Sequence, residues 1–321
     1  MTKILITGSA GFIGFNFSRD LLNKKGYKII GLDNFNDYYD INLKKRRNKI
    51  LKKFKNYKFF KIDINNKVKL KKIFQNNRID FVFHFAAQAG VRYSIDYPRK
   101  YVESNIVGFY NIIENVKNYK IKRLFYASSS SVYGENNNFP LNERDVVSPK
   151  NIYGLSKKVN EEISQIFNKF YNVKLIGLRF FTIYGEWGRP DMMMLNFIES
   201  YFKRKTFKLY NFGNHVRDFT YIGDASKIMY LLLKNHTKLK SFDVFNICSS
   251  NPVKLENIIS FMKKNDITPK IKKINLQKAD ILKTHGDNSK LLRYIKFRKF
   301  SDWEDCLKKT IAWYKTNMIK K

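Results

Sequence analysis

Short apolar runs alternate with amphipathic stretches from the first residues of the chain. KILITG (3–8), KIIGLD (28–33), KFFKIDI (58–64), FVFHFAA (81–87), RLFYASS (123–129) and KLIGLRF (174–180) have the pattern of strands buried on both faces. Helical periodicity lies between most of them, over 12–24, 101–117 and 153–171; in the first of these Leu21 and Leu22 turn inward and Gly26 supplies a stop. This repetition predicts a doubly wound α/β fold, a parallel sheet of about seven strands with right-handed crossovers and helices on both faces. DVFNIC (243–248) is the candidate seventh strand.

Beyond residue 181 the rhythm changes to loops, short helices and turn signals such as NFGNH and SSNPVK. The expected division is a main domain over 1–180, to which 226–248 returns, and a smaller substrate lobe over 181–225 and 249–321. No low-complexity linker separates the two, so the chain is expected to cross this boundary more than once.

A chain of 321 residues can bury the large core such a fold needs. MTKILITG runs straight into a strand pattern, and no apolar run approaches the roughly 18 residues of a membrane span, so a cytoplasmic location and no membrane partner are expected. Cys248 and Cys306 are the only cysteines, and histidines are not clustered, which argues against a disulfide framework or a metal site. The net charge of +35 raises the question of nucleic acid. The lysines are spread along the whole chain, however, which fits a solvated surface without a nucleic-acid partner. KKRRNKILKKFK (44–55) is the one dense stretch. Such a field would still draw in a substrate with several negative charges.

The first strand runs into TGSAGFIG (7–14), with glycines at 8, 11 and 14 just before a helix. Gly8 permits a tight turn, Gly11 lets the backbone approach a pyrophosphate, and Gly14 allows close packing of helix on strand. The pyrophosphate would rest on the helix N-terminus at Phe12 and Ile13. Asp33 ends the second strand, where a carboxylate accepts hydrogen bonds from an adenosine ribose and repels a 2'-phosphate. The pair of features makes the main domain Rossmann-type and favours NAD over NADP. Asp63, at the end of the third strand, is either a contact to adenine or a solvated strand end.

NIYGLSK (151–157) sets Tyr153 and Lys157 four residues apart on one face of one helix. A tyrosine is a poor base at its ordinary pKa near 10, but a neighbouring ammonium favours the phenolate. The pair follows YASSSSVYG (126–134), whose serines end the fifth strand, where ligand crevices open in such sheets.

TGSAGFIG, HFAAQAGVR, YASSSSVYG and YGLSK, in this order, resemble the extended short-chain dehydrogenase/reductases. DNFNDYYD (33–40), AAQAGVRYS (86–94), RFFTIYG with WGRPDM (179–192) and NFGNHVRDFTYIGD (211–224) are similar to the members of that family that epimerise UDP-glucuronate at C4. The resemblance covers nearly the full length. It implies Tyr153 as base, Lys157 on the nicotinamide ribose, and Ser129 as partner hydroxyl, with Ser130 and Ser131 as further contacts. Asp63, Ile64, Ala86, Ala87, Gln88 and Asn105 would line the cofactor. Arg217 would grip the UDP phosphates and Asp280 would lie near the uridine. A homodimer through the 101–117 and 153–171 helices and a role in polysaccharide biosynthesis are implied in the same way.

The implied reaction oxidises the sugar C4 hydroxyl to a ketone and reduces it again on the other face, with NAD regenerated in each turnover. With a hexuronate the intermediate is a β-keto acid that loses carbon dioxide unless its carboxylate is pinned. Arg189 and Thr182 are the candidate grip, with Arg92 as a further cation. Alternatively Arg189 only orders its own loop through Asp191 or Glu186. Two departures from the family pattern bear on this. Glu186 stands where proline is common, an extra negative charge that threatens the grip, and QKADIL (277–282) replaces the usual QPGDVL. A UDP-glucose or UDP-N-acetylhexosamine epimerase would use the same machinery without the grip. A 4,6-dehydratase needs an acid/base pair where this chain has Ser130 and Ser131, and a decarboxylase would follow from a failed grip. A non-catalytic NAD- or RNA-binding protein would have lost Tyr153 or Lys157, and both are present.

Overall fold

In the computed structural model, which describes residues 1–277 and 279–319, the six apolar runs form β1 (Thr2–Thr7), β2 (Tyr27–Asp33), β3 (Tyr57–Lys61), β4 (Phe81–His84), β5 (Arg123–Ser129) and β6 (Leu175–Phe180). Later strands are β7 (Thr182–Tyr184), β8 (Phe207–Tyr210), β9 (Val216–Tyr221), β10 (Phe242–Ile247), β11 (Pro252–Lys254) and β12 (Ile271–Ile274). The main sheet has the order β10-β6-β5-β4-β1-β2-β3 and is parallel throughout. β10 is thus the seventh strand, at the edge beside β6. The order reverses between β1 and β4, and the crevice at such a switch point is where this architecture binds ligands.

Both faces of the sheet are covered because its strands carry apolar side chains on both. Ile4 and Ile6 face one core together with Phe15, Phe17 and Leu21, whereas Leu5, Ile30 and Val82 face the other with Phe109, Ile112 and Val116. The helix Phe12–Leu22 supplies the first set, and Gly108–Asn118 supplies the second. The latter is preceded by a π-helical segment, Val102–Val107, so the expected helix over 101–117 is not uniform.

The region after 181 is more regular than its turn signals suggest. β11, β9 and β7 form one small sheet, and β12 pairs with β8 in another. Helices Met193–Phe202, Leu255–Lys264 and Trp303–Tyr314 close a separate core around Phe197, Ile198, Ile258, Met262, Leu307 and Ile311. Helix Ile222–Lys234 instead packs on Phe12–Leu22 in the main core and leads into β10.

The dense basic run is the largest departure from expectation. It folds as helix Ile41–Leu51, and Arg47 within it is fully buried while Lys44 is nearly so. Among the described residues no helix is long and apolar enough to cross a membrane, and no His/Cys/Asp/Glu cluster is placed to hold a metal ion.

Candidate active site

A cleft of about 860 Å³ opens along the carboxyl edge of the main sheet, toward the upper end of what ligand sites enclose. Gly8 turns the chain out of β1 with φ +67, and a Cβ there would lie 2.7 Å from the Ala86 nitrogen. A Cβ on Gly14 would lie 2.2 Å from the Gly8 carbonyl oxygen, so helix and turn touch through backbone. Helix Phe12–Leu22 begins here with no side-chain cap and no acid in its first turn. Its free N–H groups and positive end are left for an anion, which is what a dinucleotide pyrophosphate requires. Asp33, buried at the end of β2, accepts from the Ala10 and Phe35 nitrogens at 3.1 and 2.9 Å. Burial pushes its carboxyl up, and Lys44 is the largest influence opposing that.

Tyr153 and Lys157 are set by the helix Ile152–Tyr171. Its N-cap, Asn151, accepts from the Gly154 nitrogen at 2.8 Å. A Cβ on Gly154 would lie 2.5 Å from the Ser131 carbonyl oxygen, so the first turn is pressed onto the serine run. Tyr153 therefore stands beside Ser129. Burial pushes the Tyr153 phenol up, while the Ser129 hydroxyl and then the Arg189 cation pull it back. Lys157 is 2% exposed and burial draws it down to about 8; its Nζ donates to the Ala127 carbonyl at 2.8 Å. The four serines divide: Ser128 donates to Glu161 at 2.5 Å, inside a buried ion pair of Glu161 with Arg179. The Ser129 oxygen accepts from the Ser131 nitrogen at 3.1 Å and faces the cleft with Ser130 and Ser131.

On the substrate side, Arg189 forks onto Asp191, with Nε to Oδ1 at 3.0 Å and Nη2 to Oδ2 at 2.5 Å. Glu186, the feared competitor, is not involved. Both of its oxygens accept from the Tyr221 hydroxyl, at 3.0 and 2.8 Å. The cause is local: positive φ at Gly185 (+134) and Trp187 (+59) swings the Trp187 ring inward against Phe15 and Trp313. Glu186 and Arg189 are thereby sent to different neighbours. Arg92 pairs with Asp280 at 3.1 and 2.8 Å, and its guanidinium lies 3.5 Å over the Tyr210 ring. Arg217 donates to the Val216 and Leu282 carbonyls at 3.0 and 2.9 Å and to that of Ile281 at 2.5 Å.

Of the residues expected from sequence, Gly8, Gly11, Phe12, Ile13, Gly14, Asp33, Asp63, Ile64, Ala86, Ala87 and Gln88 line this cleft. So do Arg92, Ser129, Ser130, Ser131, Tyr153, Lys157, Thr182, Arg189, Arg217 and Asp280. Asn105 does not. It is 1% exposed, accepts from the Gln88 nitrogen at 2.7 Å and donates to the Gln88 carbonyl and to Ser156 at 3.0 Å. Its side chain braces the loop after β4. Asp63 accepts from Asn34 at 2.7 Å and from the Asn65 nitrogen at 2.8 Å, so part of its capacity orders its own turn. Within QKADIL, Lys278 lies outside the described residues.

Sequence reasoning passed over Tyr38, Lys44 and Arg47. Arg47 donates to the carbonyls of Ala10, Trp187 and Gly188 at 3.0, 2.6 and 2.9 Å and to the Tyr39 hydroxyl at 2.7 Å. It thus joins the glycine turn to the loop that carries Arg189. Lys44 donates to the Asn36 carbonyl at 2.7 Å and to its side-chain oxygen. A usable signal was the Leu43, Arg47, Leu51 spacing, which puts Arg47 on the apolar stripe of its helix.

The model of the NAD dependent epimerase/dehydratase family matches residues 4–248. The UDP-glucuronate 4-epimerase of Thermodesulfobacterium geofontis is 37% identical over 99% of this chain and 98% of its own length. UDP-glucuronate 4-epimerase 4 of Arabidopsis thaliana is 38% identical over 97% of this chain and 75% of its own. The crystal structure of UDP-glucuronic acid 4-epimerase from Bacillus cereus, in complex with UDP-glucuronic acid and NAD, superposes with a TM-score of 0.92. It is 29% identical and covers 98% of this chain and 99% of that one. With its glycine turn, its Tyr153/Lys157 helix and its Rossmann-type sheet, the chain belongs to the NAD dependent epimerase/dehydratase family, among the extended short-chain dehydrogenase/reductases.

Proposed function

We propose that the protein interconverts UDP-glucuronate and UDP-galacturonate by 4-epimerisation, using tightly held NAD. The observation that carries the reading is the meeting of Tyr153, Ser129, Lys157 and Arg189 in one cleft with the glycine turn. NAD supplies the two-electron chemistry: it takes up the C4 hydrogen and returns it to the opposite face of the ring. Gly8, Gly11 and the N-terminal turn at Phe12 and Ile13 hold its pyrophosphate, and Asp33 holds the adenosine ribose.

The remaining steps belong to the chain's own side chains. Tyr153 accepts the proton of the 4-hydroxyl and later gives it back, while Ser129 donates a hydrogen bond to the same oxygen. The buried Lys157 ammonium favours the tyrosinate, in the direction that a neighbouring cation always acts. Arg189 and Thr182 hold the sugar carboxylate near the plane of the C4 carbonyl, the geometry in which carbon dioxide is not lost. Ser130 and Ser131 contact the sugar, and Arg217 neutralises the diphosphate. Arg92 and Asp280 flank the nucleotide as an ion pair.

Incubation with UDP-glucuronate and no added NAD is expected to yield UDP-galacturonate, read by chromatography of the two epimers. Rapid turnover of UDP-glucose with none of UDP-glucuronate would overturn the substrate assignment.

The same proposal includes a division into a cofactor domain over 1–180 with 226–248, and a substrate lobe over 181–225 and 249–321. It also includes a cytoplasmic homodimer, supplying an activated hexuronate for polysaccharide synthesis. Support for the dimer is the apolar surface of the 101–117 and 153–171 helices, where Val107, Tyr110, Leu155, Ile166 and Phe170 are exposed. The positive charge is read as solvated surface, with Lys44 and Arg47 of the densest run turned inside.

A further inference from the structure

Arg189 alone does not explain how a carboxylate would be held in one orientation. An arginine side chain has several free torsions, and its fork must be fixed from elsewhere before it can fix a ligand. Here Asp191 takes one edge of the guanidinium, through Nε and Nη2, and leaves Nη1 with no protein hydrogen bond among the described residues. Asp191 is in turn held by Tyr38, whose hydroxyl donates to Oδ2 at 3.0 Å across 153 positions of sequence. Tyr38 is itself clamped. Its ring packs on Tyr93 at 4.9 Å and lies 5.7 Å from the Arg189 guanidinium carbon. A Cβ on Gly90, where φ is +100, would come within 2.1 Å of its hydroxyl oxygen. Tyr38, Asp191 and Arg189 all line the cleft.

We infer that Asp191 and Tyr38 are positioning residues that aim the open edge of Arg189 at the substrate carboxylate, and so protect the 4-keto hexuronate from decarboxylation. The inference rests on the uronate reading above. Asp191 also neutralises Arg189, so this grip acts through direction more than through attraction. It follows that losing Asp191 changes the fate of the intermediate more than the binding of substrate.

Decarboxylation starts from the ketone. The C5–C6 bond breaks, its electron pair enters the C4–C5 enolate, carbon dioxide leaves, and C5 takes a proton from water. The product is a UDP-4-keto-pentose. NAD is the oxidant of the first step, and without a ketone of the original sugar to reduce it stays reduced.

The test compares Asp191→Asn, Tyr38→Phe and Arg189→Met with the wild type on UDP-glucuronate. The readouts are the ratio of 4-keto-pentose to epimer, the absorbance of reduced bound cofactor, and KM. Asp191→Asn should raise the pentose fraction about tenfold, and Tyr38→Phe about threefold, with KM changed less than about threefold. A wild-type product ratio in Asp191→Asn, beside a leaking Arg189→Met, would reduce Asp191 to a loop ion pair while the uronate reading stands. Failure of the wild type to epimerise UDP-glucuronate would remove that reading and the inference together. Should Asp191→Asn fail to fold, Tyr38→Phe decides from the other loop: a wild-type product ratio there overturns the inference.

Discussion

The Lys157 ammonium donates to the Ala127 carbonyl at 2.8 Å, tying the helix Ile152–Tyr171 to β5 two residues before Ser129. The cation that is to favour the tyrosinate is therefore a structural link as well, and it is buried at a cost.

That cost is measurable. Burial draws Lys157 from 10.5 down to about 8. Between those values the unfolded chain keeps a proton that the folded chain has released, so raising the pH through this window stabilises the fold. Below pH 8 both states are protonated and the full penalty remains, about 3 kcal/mol at roughly 1.4 kcal/mol per pH unit. In cofactor-free protein, the stability of Lys157→Met relative to the wild type should fall as the pH rises from 8 toward 10, on top of a constant offset from the lost Ala127 bond. Urea unfolding of the two proteins across this range checks it, and a gap independent of pH would show that Lys157 does not titrate in the folded chain.

Tyr153→Phe removes one oxygen from a residue whose ring stays against Tyr101, 6.1 Å away and edge-on. Turnover is expected to fall by at least about a thousandfold, while bound NAD and melting temperature stay as in the wild type. Activity within about tenfold of the wild type would assign the base to another group.

Much of this was legible because the sheet is buried on both faces: strands such as KILITG and FVFHFAA have no other stable use. That the serine run and the Tyr153/Lys157 pair share one cleft was legible because an i, i+4 spacing puts two side chains on one helix face and the serines end a strand of the sheet. Contacts made across the sequence were not. Tyr38 and Asp191 meet only once the loops after β2 and β7 fold over one cleft, and neither residue carries a local periodicity. Arg47 was obscured by its own neighbourhood, since a cation among cations reads as surface unless its place on the Leu43–Leu51 stripe is noticed. The bonds of Asn105 to Gln88 and Ser156 were not legible either, because they join the loop after β4 to two helices distant in sequence.

Glu186 illustrates how an apparent electrostatic conflict disappears in three dimensions. Its carboxylate accepts from Tyr221, so neutralising it should not release Arg189. Glu186→Gln is expected to change kcat/KM for UDP-glucuronate by less than about twofold and to cost about 1 kcal/mol of stability from the weakened Tyr221 bond. A large gain in uronate turnover would mean that the negative charge does reach the grip.

Arg47 provides the strongest test of how the two halves of the site are joined. Its guanidinium is the shared donor for Ala10 in the glycine turn and for Trp187 and Gly188 in the Arg189 loop. Arg47→Met fills the space yet leaves three inward-facing carbonyls without that donor, each a desolvated acceptor. The loss should be about 2–4 kcal/mol in urea unfolding, with some relief from no longer burying a charge. Arg47→Lys keeps the charge but has no planar fork, so it cannot reach both loops with the same geometry and should recover less than half of the loss. Because one residue serves both loops, NAD retention on gel filtration and uronate turnover should decline together in these variants. A variant that keeps NAD fully while losing uronate turnover would show that the two loops are held independently, and that Arg47 matters only to the one carrying Arg189.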